Sequence, residues 1–220
     1  MENFIRYSIF VHVLAGCVAL ISGLVSIILR NNVKRHKKAG IVYFYAMTVV
    51  FITATYVSVY KNNIFLLCVS FFTYYACLTA YRALKLKRLH LDQRPGIIDS
   101  GIEVFFGLMH VGFLAFAILL LKKGHTEVGI VSMVFGVIGL RGNYVTIHRL
   151  RGKSKHKNYW LLAHIGGMLG SYIGAFTAFF VNNNARWIHL PEIIAWLGPT
   201  AFITPLIIFE LRKYKKAETA

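Results

Sequence analysis

A few ionisable side chains stand inside long apolar runs, where their burial is costly unless each has a partner or a task. Asp99, Glu103, Phe106 and His110 fall on one stripe at about 100° per residue. Carboxylates and a histidine on one helix face can ligate a metal or pass protons. His12 shares its face with Gly16, Ala19 and Gly23, small residues that leave room for another helix or for a flat ligand. His164 shares a face with Met168, Ser171 and Ala175, opposite a small-residue ladder of Gly166, Gly170, Gly174 and Ala178 that suits close helix contact. Arg141 completes the set. Imidazoles on two helices at matched depth suit a transition metal or an axially held haem iron. His12, His110, His164 and Glu103 are therefore the candidate metal ligands, and Glu103 with Arg141 a candidate buried charge pair.

The elements that position these residues are membrane spans. Of 220 residues, 57% are apolar and only 15% charged, with mean hydropathy +0.59; soluble domains carry about 25% charge. Disorder, a collagen-like fibre and a disulfide scaffold are excluded. The apolar residues fall in blocks of about 20, the length that crosses a bilayer. Seven spans are expected, at 4–29, 40–60, 64–84, 97–121, 127–147, 158–181 and 192–211, joined by short connections into a single transmembrane domain, 1–220. The fold class is an all-α bundle of seven transmembrane helices.

Twenty-five Lys and Arg against eight Asp and Glu give a net charge of +17. The basic residues cluster after spans 1, 3, 5 and 7, within 30–38, 82–94, 149–157 and 212–216. The opposite end holds Arg6, Lys61, Lys122, Lys123 and Arg186. By the positive-inside rule the N-terminus lies outside and the C-terminus in the cytosol of a cell inner (plasma) membrane. The charge is then a cytosolic collar facing anionic lipid headgroups, with no call for nucleic acid. Trp160, Trp187 and Trp196 near span ends are expected at the interface. Cys17, Cys68 and Cys77 lie inside spans and read as small packing residues. Leu14-Ala15-Gly16-Cys17 matches a bacterial lipidation box, but the apolar run continues through Leu29, so it reads as part of span 1.

At 1.5 Å per residue, His12 lies roughly 12 Å below the outer surface and His110 roughly 20 Å above the cytosolic end, depths that match. Glu103 and His164 form an inner layer, roughly 9 and 10 Å from the cytosolic end, with Arg141 nearby. Each layer has a plainer alternative. In it Glu103 and Arg141 only neutralise each other, His164 hydrogen-bonds a backbone carbonyl or Tyr172, and His12 and His110 simply pack. His36, His90, His148, His156 and His189 sit among basic connections and are expected to be solvated, with His36 as the exception given next. Pro199 and Pro205 are candidate kinks in span 7.

Two stretches carry a family likeness. One runs His12-Val13-Leu14-Ala15-Gly16, Gly23, then His36-Lys37-Lys38-Ala39-Gly40-Ile41-Val42-Tyr43, to Met47. The other runs Trp160-Leu161-Leu162-Ala163-His164-Ile165, Met168, Ser171-Tyr172-Ile173 and Thr177-Ala178-Phe179. Together with Tyr74-Tyr75 and Ala80-Tyr81-Arg82 they resemble the DUF2306 family of predicted bacterial membrane proteins, in Bacteroidota-like versions. The resemblance implies a topology and no activity. It singles out His12, His36 and His164, so His36 joins His12, His110 and His164 as a candidate cofactor ligand.

Three function classes follow: a histidine-based haem- or metal-binding redox membrane protein, a proton-coupled carrier using Asp99, Glu103 and His110, and an accessory subunit of a larger membrane complex. Against a carrier, the halves show no inverted repeat and no paired broken spans. A phosphate-cradling loop, HExxH, CxxC and GxSxG are all absent from the sequence. No reaction is named by these residues.

Overall fold

The computed structural model describes residues 2–91, 93–153 and 157–219. Among them the chain forms helices α1 (Glu2–Ile28), α2 (Val33–Tyr60), α3 (Ile64–Ala83), α4 (Ile97–Lys122), α5 (Thr126–His148), α6 (Tyr159–Asn183) and α7 (Glu192–Thr219), with no strand. Each is long and apolar enough to cross a membrane. Backbone polar groups have no water to bond in lipid, so helices satisfy them internally.

Helix starts are written in the local sequence. Asn32 caps α2 by accepting from the Arg35 amide, and Asn63 caps α3 by accepting from the Leu66 amide. At α4 the Asp99 carboxylate reaches back to the Gly96 amide, 2.9 Å away. The start of α2 differs from expectation: it begins at Val33, so His36 stands in its first turns, not in a connection. Charged residues there hide a helical turn that projects into the interface. α7 continues through Pro199 and Pro205.

Packing is inside-out relative to a soluble protein. Phe4, Ile21, Val104 and Leu108 are exposed, while Asp99, Glu103, His110 and Asn143 are 4% exposed or less. α1 packs on α2, α4 on α5, α3 on α6, and α6 on α7. Glycines allow the close seams. A Cβ at Gly129 or Gly136 would strike Leu121 or Leu114 of α4, and one at Gly167 or Gly174 would strike Ala80 or Thr73 of α3. Gly166 and Gly170 of the expected contact ladder do otherwise: they border a cavity, and nothing lies within 4 Å of a Cβ built on Gly170.

Two aromatic-rich clusters fill the core. Tyr43, Met47, Tyr74, Tyr75 and Phe106 form the one nearer the basic end. The other joins Val69, Phe113, Val131, Phe135 and Trp196. Trp196 is thus a core residue, 8% exposed and edge-on to Phe65, rather than an interface anchor, while Trp187 is exposed. At the basic end Leu86, Leu89 and Tyr159 lock the α3–α4 connection to the start of α6, the Leu89 amide donating to the Tyr159 hydroxyl. His90 lies against Tyr159 with a buried Nδ1, so it is not a solvated loop histidine. Lys155 and His156 lie outside the described residues.

Candidate functional site

The α4 stripe faces inward: Asp99, Glu103, Phe106 and His110 are all buried. Asp99 pairs with Arg82 at the end of α3, Nε to Oδ1 at 2.8 Å. One turn further in, Glu103 Oε2 accepts from the Tyr75 hydroxyl at 2.8 Å and from Asn143 Nδ2 at 2.9 Å. Arg141 is not its partner. That side chain is exposed, and the Glu103 carboxylate is met by neutral donors from α3 and α5 instead.

Asn143 links Glu103 to His110. With its amide nitrogen turned to Glu103, its Oδ1 faces His110 Nδ1 at 2.5 Å, so Nδ1 carries the proton. His110 is 1% exposed, and its Nε2 is buried without a hydrogen-bond partner among the described residues. Tyr75 and Phe72 stand edge-on to the ring, and Gly139 supplies the room for it. A hydrogen-bonded chain, Tyr75–Glu103–Asn143–His110, therefore stitches α3, α4 and α5 together.

The second polar group joins α1, α2, α3 and α6. His36 Nδ1 lies 2.9 Å from the Ser26 carbonyl oxygen, and His164 Nδ1 lies 3.2 Å from the Ala80 carbonyl oxygen. A carbonyl oxygen only accepts, so both rings carry the proton on Nδ1 and present an Nε2 with no hydrogen-bond partner among the described residues. The rings stand 6.2 Å apart, centre to centre, at 82°. Both are half-buried. The neighbouring Lys87 ammonium sits 4.4 Å over the Trp160 ring. Beside this group Tyr43 donates to Ser171 at 2.7 Å, and Ser171 donates to the Met168 carbonyl.

His12 is held apart from both groups. Its Nδ1 meets Thr53 Oγ1 at 2.9 Å, and that hydroxyl donates to the Val49 carbonyl. α1 packs on α2 and α6, while α4 packs on α5 and α3, so His12 and His110 occupy separate environments despite their matched depth. The room left by Gly23 on the His12 face is taken by the rings of Tyr172 and Tyr43. The structure thus brings His36 to His164, leaves Glu103 with Tyr75 and Asn143, and gathers no group of three or more His, Cys, Asp or Glu around one point among the described residues.

A cavity of about 400 Å³ opens between α3, α4, α5 and α6. Arg82, Asp99, Arg149 and Tyr159 border its basic end, Tyr75, Glu103 and Thr146 its flank, and Phe72, Ile138 and Gly170 its far end.

No curated protein and no solved structure matches the chain. One family model does. Residues 9–95 match DUF2306, a predicted membrane protein family. The matched segment runs from within α1 past the end of α3 and contains His12, His36, Tyr75 and Arg82. His164, Glu103, His110 and Asn143 lie beyond it, so the match reaches His36 of one polar group and Tyr75 of the other.

Tyr75 and Asn143 are the site residues that sequence reasoning missed. Asn143 carried a signal, as an amide inside span 5 two residues from Arg141. Tyr75 stood only in the family likeness, since a tyrosine in an aromatic span reads as packing.

Proposed function

We propose that this membrane protein holds a redox-active metal centre, with haem iron the best match, between the imidazoles of His36 and His164. One observation carries the reading: two neighbouring rings, from α2 and α6, each with Nδ1 fixed by a backbone carbonyl and, among the described residues, no partner on Nε2. Metal-ligating histidines are ordinarily oriented in this way, by a second bond from the far ring nitrogen. The spacing supports it too. With Nε2 about 2.0 Å from an ion on either side, two imidazole centres stand about 5–6.5 Å apart, against the 6.2 Å seen. Two protein ligands suffice for haem, because the porphyrin supplies the other four nitrogens. Lys37, Lys38 and Lys87 at this end suit its propionates. The basic end then faces the cytosol and its anionic lipid headgroups.

An absorption spectrum and metal analysis of detergent-purified protein test this. The expected result is a Soret band, or one equivalent of a transition metal, that is lost in His36→Ala and in His164→Ala and kept in His12→Ala. Protein with neither band nor metal, after reconstitution with haem, overturns it.

The Tyr75–Glu103–Asn143–His110 chain supports a second reading, a proton-coupled carrier. Proton-linked flux in proteoliposomes that is unchanged by Glu103→Gln removes it.

A further inference from the structure

We infer that the cavity between α3, α4, α5 and α6 is a binding site for a single-chain anionic amphiphile, its head at Arg149 and its chain running inward to Phe72, Ile138 and Gly170. The cavity's shape sets the chain. Its walls run from Tyr159 to Gly170 on α6 and from Arg149 to Ile138 on α5. Eleven residues of helix span about 16 Å, close to the half-thickness of a bilayer's hydrocarbon core, about 15 Å. An acyl chain in one leaflet covers the same depth. The volume, about 400 Å³, falls within the range of small-molecule sites, about 300–1,000 Å³. α5 packs on α4 and α6 on α3, so the two walls are held apart by other helices and the gap does not close.

Charge sets the head. Four charged groups border the cavity's basic half besides Arg149, and three are accounted for. Asp99 is neutralised by Arg82 at 2.8 Å. Glu103 is bonded to Tyr75 and Asn143. Arg149 is half-buried and has no carboxylate within ion-pair distance among the described residues. A buried guanidinium without a counter-ion is costly, and an anionic head would supply one with bidentate geometry. Arg141 adds a second cation on the same wall. Glu103, one helical turn deeper than Asp99, repels an anion, which keeps the head at the mouth and only the chain inside.

Glycine sets the width. Leu162 and Ala163 line the α6 wall nearer the basic end, but Gly170 carries no side chain at the far end, and a Cβ there would meet nothing within 4 Å. A larger residue there fills the chain's path without disturbing a helix seam.

The test uses the full-length protein in nanodiscs of zwitterionic phosphatidylcholine, loaded with a fluorescent polyene fatty acid. Palmitate is expected to displace the probe and hexadecanol, the same chain without charge, to do so at least about tenfold more weakly. Arg149→Gln should weaken palmitate by a similar factor. Gly170→Leu should abolish displacement while leaving the thermal unfolding midpoint near that of the unsubstituted protein, which separates a filled cavity from a misfolded chain. Lysophosphatidate displacing better than palmitate supports the site and assigns it a phosphate head. The inference is overturned if neither anion binds, if hexadecanol equals palmitate, or if Gly170→Leu binds as before. None of these readouts depends on the metal centre.

Discussion

Gly139→Ala tests the buried chain at its tightest point. A Cβ on Gly139 would lie 2.5 Å from His110 Cδ2, 2.7 Å from Nε2 and 2.8 Å from Cγ. These are atoms of a rigid ring, not the far end of a flexible chain. The ring cannot retreat: Asn143 holds its Nδ1 at 2.5 Å, Tyr75 and Phe72 stand against it, and its exposure is 1%. Overpacking of this kind costs about 1–3 kcal/mol, and turning the ring away forfeits a buried hydrogen bond worth about 0.5–1.5 kcal/mol. The expected loss is therefore about 2–4 kcal/mol, read by reversible unfolding of the detergent-solubilised protein in dodecyl sulfate. Gly170→Ala, where a Cβ meets nothing, is the matched control and should stay within about 0.5 kcal/mol of the parent. The clash is with the ring itself, so Gly139→Ala should be nearly silent in a His110→Ala background, a coupling of about 2–4 kcal/mol. If Gly139→Ala behaves like Gly170→Ala, or costs as much without the His110 ring as with it, the packing described for α4 on α5 is wrong.

Further outcomes follow from neighbouring contacts. Asn143→Leu removes the partner of His110 Nδ1 and one donor to Glu103, and should cost about 2–5 kcal/mol in the same assay. Arg82→Gln strands the buried Asp99 carboxylate; it should destabilise by about 1–3 kcal/mol, and adding Asp99→Asn should recover part of that loss. Gly167→Ala drives a Cβ to 2.7 Å from Ala80 Cβ and 2.8 Å from the Ala76 carbonyl oxygen, and should cost about 1–3 kcal/mol by prising α6 from α3; a midpoint equal to the parent's would contradict that seam.

What the sequence made legible was whatever helical periodicity exposes. The Asp99–His110 stripe buries as a unit because four polar or aromatic residues at that spacing leave an apolar helix only one face to hide them. His164 bonds a backbone carbonyl, one of its open alternatives. Pairings between helices were not legible. Depth matching put His12 opposite His110, but depth is only one coordinate, and α3 and α5 decide what His110 and Glu103 actually meet. The same gap joined Glu103 to Arg141. A long guanidinium can leave the bundle and remain exposed, while a short carboxylate must take the nearest donors.

The α3–α6 seam gives these separate features a common frame. Small residues on both helices, Thr73, Ala76 and Ala80 against Gly167 and Gly174, bring the two backbones close. On one side of the seam the close approach delivers the Ala80 carbonyl to His164 and so sets which imidazole nitrogen stays bare. On the other, Gly166 and Gly170 border the cavity on the same helix, with open space at Gly170. The Tyr75–Glu103–Asn143–His110 chain then ties α3 to α4 and α5, fixing the opposite wall. Polar groups of this cost are not needed merely to hold apolar helices together in lipid, where small-residue packing already does so. They gather beside α3, between the His36–His164 pair and a cavity where Arg149 has no carboxylate within ion-pair distance among the described residues, which is the physical ground for the site proposed on this face of the bundle.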